Sequence, residues 1–183
     1  MAIRKALSYS KKNNRPYTRV SKVKSRSYIK VVPPNKVVKY NIGNQRAFEE
    51  GKFPFVLRMV TDETLVIRDN SIESGRQVLT KHLETKIPGK FYIWVKIYPH
   101  HILRNNKAAA GAGADRLSTG MKQSFGIVEG RAAQVLAGQQ LFMVACDSEM
   151  STKFVREAFS MTKSKLPCRT RVTFEKVERK LPA

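Results

Sequence analysis

The sequence predicts an α+β fold, a two-layer sandwich in which two main helices lie on one face of a mainly antiparallel sheet. It also predicts a basic extended N-terminal arm and a long flexible loop. Short β-branched and aromatic runs alternate with two longer segments of helical periodicity, which is typical of this class. Residues 1–48 hold 13 lysines and arginines and no acidic residue, and residues 105–114 hold no large apolar side chain.

The arm covers residues 1–34, and a single α+β domain follows as residues 35–183. The arm interleaves cations with Tyr9, Tyr17 and Tyr28 and has few large aliphatic residues. Such a segment buries too little apolar surface to offset its ordering entropy, so we expect it to be irregular in isolation. On RNA its cations would neutralise phosphates and its tyrosines would stack on unpaired bases. A basic targeting signal is the alternative interpretation.

Three strands are predicted before the loop. Pro33-Pro34 marks a turn, and residues 36–42 after it have strand-like composition. Residues 55–60, FVLRMV, predict a buried strand. Residues 91–97, FYIWVKI, are aromatic and β-branched and predict a central strand that delivers the chain to the loop.

The first main helix is predicted over residues 70–87. Asn70 and Glu73 have the spacing of a capping box at its start, and Pro88 ends it. Four apolar residues share one helical face: Ile72, Leu79, Leu83 and Ile87.

The second main helix is predicted after Asp147 or Ser148, either of which could cap it, with a stop at Leu166-Pro167. The residues at helical spacing are Met150, Phe154, Ala158, Met161 and Lys165. We expect the methionines to fill the core. Residues 171–177 alternate and predict a last strand that is exposed on one face.

Residues 131–137 are ambiguous. Their propensity favours a helix, whereas their place before Gly138 and the apolar run 141–146 favours a strand. Periodicity leaves both alternatives open.

The loop covers about residues 104–116 and has the composition of a mobile segment. Cations flank it, and one acid opposes them: Arg104, Lys107, Asp115, Arg116 and Lys122. An anion is the expected partner, and a surface excursion without a role is the alternative. Gly111 and Gly113 begin a G-x-G pattern, but Arg116 stands where a dinucleotide fingerprint needs its third glycine.

The net charge of +21 and the pI near 10.3 indicate a polyanionic partner. No apolar run approaches a membrane span and no signal peptide is evident, so we expect a cytosolic protein. Cys146 and Cys168 lack the spacing of a zinc site, which predicts reduced thiols in or near the core.

The histidines do not form a recognisable catalytic or metal motif. His82 falls on the first predicted helix and is expected to be structural. The adjacent pair His100-His101 would need a third ligand, and no histidine or cysteine spacing supplies one. We expect one of the pair to pack or to bind RNA at the base of the loop. No metal or other cofactor is predicted.

Residues 113–121, GADRLSTGM, followed by Ser124-Phe125-Gly126, carry a resemblance to a known family. They are similar to the GADRL-x-TGM…FG signature of the universal large-subunit ribosomal proteins of the L-ten-e/L-sixteen family, in its archaeal and eukaryotic form. The resemblance covers nearly the whole chain. Supporting residues are Arg15-Pro16-Tyr17, Pro99, His101, Arg104 and the segment 154–167. The short segment after the last predicted strand favours an archaeal source.

The resemblance implies a structural constituent of the large ribosomal subunit that acts in translation in the cytoplasm and is not an enzyme. It implies binding to large-subunit rRNA near the aminoacyl-tRNA site, with the loop positioning tRNA near the peptidyl transferase centre. 5S rRNA and neighbouring large-subunit proteins are further expected partners, whereas a membrane and DNA are not. The family pattern also implies a hairpin over 131–146 that turns at Gly138.

The expected functional residues fall into two groups. The rRNA-binding group is Arg4, Lys5, Lys11, Lys12, Arg15, Tyr17, Arg19, Lys22, Lys24, Arg26, Lys30, Lys96 and His101. The group in the loop near tRNA and the peptidyl transferase centre is Arg104, Asn105, Asn106, Lys107, Gly111, Gly113, Asp115 and Arg116.

Two other classes of function are weighed against this one. A free-standing RNA-modifying or nucleotide-dependent enzyme would have to use His100-His101, and turnover or bound metal would reveal it. A sequence-specific DNA-binding module would need a helix-turn-helix or zinc-finger spacing, which the sequence lacks.

Overall fold

The computed structural model of the chain describes residues 5–11, 18, 22–27, 29, 31–105 and 127–177. Within these residues the helices are α1 Lys24–Ser27, α2 Gln45–Glu49, α3 Asp69–Lys86 and α4 Glu149–Lys163. The strands are β1 Asn41–Gly43, β2 Phe55–Thr61, β3 Leu65–Arg68, β4 Phe91–Val95, β5 His101–Asn105, β6 Ile127–Val135, β7 Gln140–Cys146 and β8 Thr170–Lys176.

The strands form two antiparallel sheets. The larger sheet has five strands in the order β1-β4-β7-β2-β8, and the smaller has three in the order β3-β6-β5. With α3 and α4 packed together on the larger sheet, this arrangement confirms the predicted α+β class.

The main core lies between the five-stranded sheet and the two long helices, and β3 and β6 of the smaller sheet also contribute buried residues to it. Leu57, Ile93 and Val144 stand side by side on β2, β4 and β7 and are fully buried. They pack in one cluster with apolar residues of both helices, which are Ile72, Leu79 and Leu83 of α3 and Val155, Ala158 and Phe159 of α4. Burying each large aliphatic side chain stabilises the fold by about 1.5–3 kcal/mol. The larger sheet therefore contributes much of the buried apolar surface that stabilises the fold.

The helices approach closely at Gly75. A Cβ atom there would lie 3.1 Å from Cγ2 of Thr162 on α4 and 3.3 Å from Cζ of Phe142 on β7. Because Gly75 has no side chain, α3 can pack closely against α4 and β7.

The opposite face of the larger sheet is only partly covered. The short helix α2 places Phe48 against Tyr92, with ring centroids 4.7 Å apart, and Val56 and Met143 complete this smaller cluster. Further along the same face, Trp94 remains 37% exposed.

The start of α3 differs from the prediction, and the capping box is wrong. Arg68 occupies the N-cap position without a side-chain cap, because β3 runs directly into the helix. The Asn70 amide donates to Oδ1 of Asp69 at 2.8 Å. Glu73 accepts from Nε of Arg76 at 2.8 Å instead of closing a capping box. The apolar face predicted for this helix is confirmed, since Ile72, Leu79, Leu83 and Ile87 are buried.

The second helix begins as predicted, because the Ser148 hydroxyl accepts from the Ser151 amide. The face of this helix that was predicted to be buried is wrong. Met150 and Met161 are 61% and 43% exposed, so the expectation that they fill the core is wrong. The buried face runs through Val155 and Phe159, rotated from the predicted stripe.

The segment 131–146 forms strands, but the expected hairpin is wrong. Its strands β6 and β7 belong to different sheets. Gly138 adopts φ +84° in the turn between them, and its amide donates to the Thr61 carbonyl at 2.7 Å. The turn therefore carries the chain from one sheet to the other.

The remaining strand predictions vary in accuracy. Those over 55–60, 91–97 and 171–177 match β2, β4 and β8 within two residues. In contrast, only Asn41 and Ile42 of the strand predicted over 36–42 lie in β1. The short strands β3 and β5 were not predicted.

Candidate nucleic-acid interface

The three-stranded sheet holds the two ends of the predicted loop together. Asn105 at the end of β5 pairs with Ile127 at the start of β6, so the two described residues that flank 106–126 lie side by side. Arg104 pairs with Val128 inside the sheet. Because β5 extends to Asn105, the first two residues of the loop predicted over about 104–116 lie in a strand. The other loop candidates lie outside the described residues: Asn106, Lys107, Gly111, Gly113, Asp115 and Arg116.

The beginning of the arm packs on this same sheet. The Val66 amide of β3 donates to the Ser10 carbonyl at 2.9 Å, and the Tyr9 hydroxyl donates to Oε2 of Glu129 on β6 at 2.6 Å. The Tyr9 ring packs against a buried cluster that includes Leu103 of β5. Residues 5–11 form turns and neither a helix nor a strand, and hydrogen bonds and buried apolar contacts hold them on the sheet.

The end of the arm is tied to β6 by a second contact. Nε of Arg131 donates to the Pro33 carbonyl at 2.7 Å, and Nη1 of the same guanidinium donates to the Tyr98 hydroxyl at 3.2 Å. Tyr98 stacks on Tyr40 with ring centroids 5.7 Å apart. Burial raises the pKa of the Tyr40 hydroxyl, which accepts from Nδ2 of Asn35 at 2.7 Å. One arginine therefore joins the arm to the strand that receives the loop.

A buried carboxylate lies beneath β6. Asp69 is 2% exposed, and no donor among the described residues reaches its Oδ2 atom. Burial raises the pKa of this carboxyl, although the Asn70 amide and the charge of Lys36 act in the opposite direction. A Cβ atom at Gly130 of β6 would lie 4.0 Å from Oδ1 of Asp69, so the carboxylate is close to the strand.

The arm cations that the structure describes are exposed. They are Lys5, Lys11, Lys22 and Lys24. Arg26 lies in α1, but the structure does not describe its side chain. The other arm candidates also lie outside the described residues: Arg4, Lys12, Arg15, Tyr17, Arg19 and Lys30.

The helical layer has a different charge balance. Helices α3 and α4 together carry six lysines and arginines and five acidic residues. Positive charge is densest in the arm, where residues 1–34 hold ten lysines and arginines and no acidic residue. A polyanion would be attracted to the arm in preference to the helices.

The adjacent histidines have different environments. His101 is only 4% exposed inside the small sheet, whereas His100 is exposed, with Nδ1 3.1 Å from the Tyr98 carbonyl. His82 on α3 lies 3.6 Å from a carboxylate oxygen of Glu157 on α4. Within the described ranges, no three histidine, cysteine or acidic side chains are grouped to hold a metal ion.

Lys96 lies outside the small sheet. It follows β4 directly, and its amide donates to the Leu141 carbonyl at the larger sheet. The predicted site residues are thus divided between the two sheets.

The cysteines are free, as predicted. Burial raises the pKa of the Cys146 thiol to about 12 and also raises that of the Cys168 thiol. Both are therefore poor nucleophiles at neutral pH. No helix in the described part of the chain is long and apolar enough to cross a membrane.

An acid-free basic arm packed on a small sheet of a mixed α+β domain is typical of proteins that bind a polyanion such as RNA. Comparison with known proteins identifies the family. The chain matches the family described as ribosomal protein L16p/L10e over residues 12–173, and it belongs to that family.

Three similar proteins are archaeal. The chain is 38% identical to the large ribosomal subunit protein uL16 of Thermofilum pendens over 97% of this chain and 100% of the relative. It is 37% identical to the uL16 proteins of Pyrobaculum arsenaticum and Methanococcus maripaludis, in each case over 96% of this chain. The match covers 93% of the first relative and 96% of the second. The chain is an archaeal-type member of the family, a structural ribosomal protein of translation and not an enzyme.

Proposed function

We propose that this protein is a constituent of the large ribosomal subunit that binds rRNA beside the aminoacyl-tRNA site. In this proposal the arm binds rRNA, and the connection between β5 and β6 reaches toward the peptidyl transferase centre and positions tRNA there. 5S rRNA and neighbouring large-subunit proteins are further partners of the same surface. The chemistry of peptide transfer belongs to the RNA.

One observation carries the proposal. The start of the arm and the two strand ends that flank the loop are far apart in the sequence but lie on the same three-stranded sheet. Tyr9 of the arm bonds Glu129 on β6, and β6 begins at the residue where the loop returns. When rRNA binds the arm, this connection would fix the orientation of the sheet and therefore the direction in which the loop projects.

The charge distribution supports the assignment of roles. The arm cations would neutralise phosphates, a contact that positions a protein without reading base sequence. The loop combines small residues with flanking cations, so it would approach an RNA surface closely.

Sedimentation of a native lysate through sucrose gradients tests the proposal. We expect the protein to migrate with the large subunit at low salt and to dissociate at high salt, because phosphate contacts weaken as salt concentration rises. If the protein stayed at the top of the gradient at both salt concentrations, the proposal would be wrong.

Charge reversal tests the two parts separately. Arg15→Glu and Arg19→Glu in the arm should lower incorporation into the subunit, and Arg104→Glu at the loop base should lower tRNA accommodation. Lys163→Glu at the end of α4 makes the same charge change on the helical layer and serves as the matched control. Wild-type behaviour of all three test variants would contradict the proposal.

A further inference from the structure

The face of the five-stranded sheet that lies away from α3 and α4 carries a row of side chains on five neighbouring strands. Asn41, Trp94, Met143, Arg58 and Thr173 occupy paired positions across β1, β4, β7, β2 and β8. Neighbouring residues of a strand point to opposite faces, so this row lies on the side away from α3 and α4. Trp94 is its most exposed large apolar side chain, at 37%.

A cation covers this tryptophan. Lys96 lies two residues after Trp94 and therefore on the same side of the chain, and its Nζ is 2.9 Å from the centroid of the indole ring. Partial burial, followed by the nearby charge of Arg58, lowers the pKa of the Lys96 ammonium. The Trp94 ring is thus a flat aromatic surface with a positive charge held against it.

The two cations of the patch differ in their partners. Arg58 is paired with Glu175 on β8. Among the described residues, no carboxylate forms an ion pair with Lys96, so it provides the excess charge of the patch. An anionic partner would compensate that charge and relieve the repulsion between Lys96 and Arg58.

We infer that Trp94 and Lys96 form a site for one unpaired nucleotide of RNA, with the base stacked on the indole ring and the phosphate bound by the ammonium. This inference rests on the proposed rRNA-binding function and assigns a second contact surface to it. In the free protein Lys96 covers the ring, and on binding it moves from the ring to the phosphate. Arg58 stays paired with Glu175 and limits the site on the β8 side.

The chemistry favours an unpaired nucleotide over other anions. Stacking on the indole ring requires a base with an accessible face, and bases inside a duplex are already stacked on their neighbours. An acidic peptide would satisfy Lys96 but would leave the indole without a flat partner. Base stacking on an aromatic side chain also tolerates any sequence, so no base-reading side chain is needed.

The protein contains its own reporter, because Trp94 is the only tryptophan of the chain. Its fluorescence is recorded while the full-length protein is titrated with a short single-stranded RNA. A duplex of the same length and polyglutamate are the comparison ligands. Anisotropy of a labelled copy of the RNA measures total binding in parallel, including binding by the arm. We expect saturable quenching by the single strand and little quenching by the duplex or by polyglutamate.

Lys96→Ala should raise the RNA concentration needed for half-maximal quenching by about fivefold or more. Lys163→Ala removes an equal charge from the helical layer and should leave that concentration unchanged. Equal quenching by RNA and polyglutamate, or unchanged quenching in Lys96→Ala, would overturn the stacking site.

The readouts also separate this inference from the proposed function. RNA binding detected by anisotropy without a change in Trp94 emission would overturn the stacking site and leave the proposed function standing. Absence of binding in both measurements, together with absence from the large subunit in sucrose gradients, would overturn both.

Discussion

The two sheets use their side chains differently. The five-stranded sheet buries Leu57, Ile93 and Val144 against two long helices, and its contacts there are apolar. The three-stranded sheet contributes Ile67 and Val135 to that same core, and it also has a small apolar cluster of its own. Its contacts with the arm include the hydrogen bonds of Ser10 and Tyr9. We conclude that stability resides mainly in the larger sheet, and that the smaller one holds the basic arm and the loop ends in a defined relation.

This division explains how a strongly basic protein can fold. The arm holds ten of the 35 lysines and arginines and no acidic residue, whereas α3 and α4 are nearly neutral. The core therefore forms with little electrostatic cost, and the charge remains available for a polyanion. Substitutions in the larger sheet should affect folding, and substitutions at the arm contacts should affect the position of the arm.

The largest effect is expected at Phe142, which is fully buried on β7 between the sheet and the helices. Phe142→Ala should lower the free energy of unfolding by about 3–5 kcal/mol, because it removes buried surface and leaves a cavity. Urea denaturation followed by circular dichroism measures the loss. Met161→Ala on the exposed side of α4 is the control and should change stability by about 0.5 kcal/mol or less. Equal losses in both variants would contradict the assigned core.

The next effect is expected at Arg131, which ties the arm to β6. Arg131→Ala removes both donors and leaves the Pro33 carbonyl without this partner, so we expect a loss of about 1–3 kcal/mol. Hydrogen exchange should rise at residues 31–35 more than in β2 or β7. Arg169→Ala, whose side chain is 90% exposed, is the matched control. Unchanged exchange at residues 31–35 in Arg131→Ala would show that this contact does not hold the arm.

A smaller effect is expected at Tyr9. Tyr9→Phe keeps the ring in its cluster and removes the hydroxyl that binds Glu129, which should cost about 1 kcal/mol. A double-mutant cycle with Glu129→Gln measures the coupling between the two side chains. Additive losses would indicate that this hydrogen bond contributes nothing to docking of the arm.

The smallest effect on stability is expected at Asp69, where the substitution should stabilise the fold. Burial raises its carboxyl pKa above the ordinary value of 3.8, so the folded state binds a proton more readily than the unfolded state. This group therefore favours folding below the ordinary pKa, and its contribution is lost as pH rises through the raised value. Asp69→Asn should raise the Tm at neutral pH, and the gain should shrink toward pH 3–4.

Thermal unfolding across this pH range measures the Asp69→Asn effect. Asp62→Asn is the control, because Asp62 lies 3.4 Å from Arg171 near the surface. It should not raise the Tm at neutral pH. A pH-independent gain in Asp69→Asn would show that ionisation of this carboxyl is not the cause.

The sequence predicts the larger sheet and its helices well because their side chains follow simple periodic patterns. Helix α3 starts within one residue of the predicted position, and the Ser148 cap of α4 is correct. Strands β2, β4 and β8 are continuous apolar or alternating runs. Local composition is sufficient where burial against one layer determines the pattern.

The smaller sheet is not predictable in the same way. Strands β3 and β5 are short, and they are defined by their pairing with β6. Neighbouring strands in sequence, such as β6 and β7, need not share a sheet, which is why the expected hairpin is wrong. The hydrogen bond between Tyr9 and Glu129 joins residues 120 positions apart, and the local sequence around either residue does not predict it.

The candidate site likewise has features that the sequence predicts and features that only the tertiary structure shows. Composition identifies the basic arm, and the GADRL signature indicates the family, as the comparisons confirm. Neither reveals that the arm and the loop ends meet on one sheet. The exposed position of Trp94 beside Lys96 also depends on which face α2 leaves uncovered, a tertiary property.

Lysine footprinting is the most direct test that the arm, and not the helical layer, faces RNA. Intact large subunits from cells that express this chain and the free protein are treated with an acylating reagent, and modified lysines are identified by mass spectrometry. We expect Lys5, Lys11, Lys22 and Lys24 to be protected in the subunit, while Lys81, Lys153 and Lys163 react as in the free protein. Protected helix lysines with fully reactive arm lysines would contradict the proposed interface.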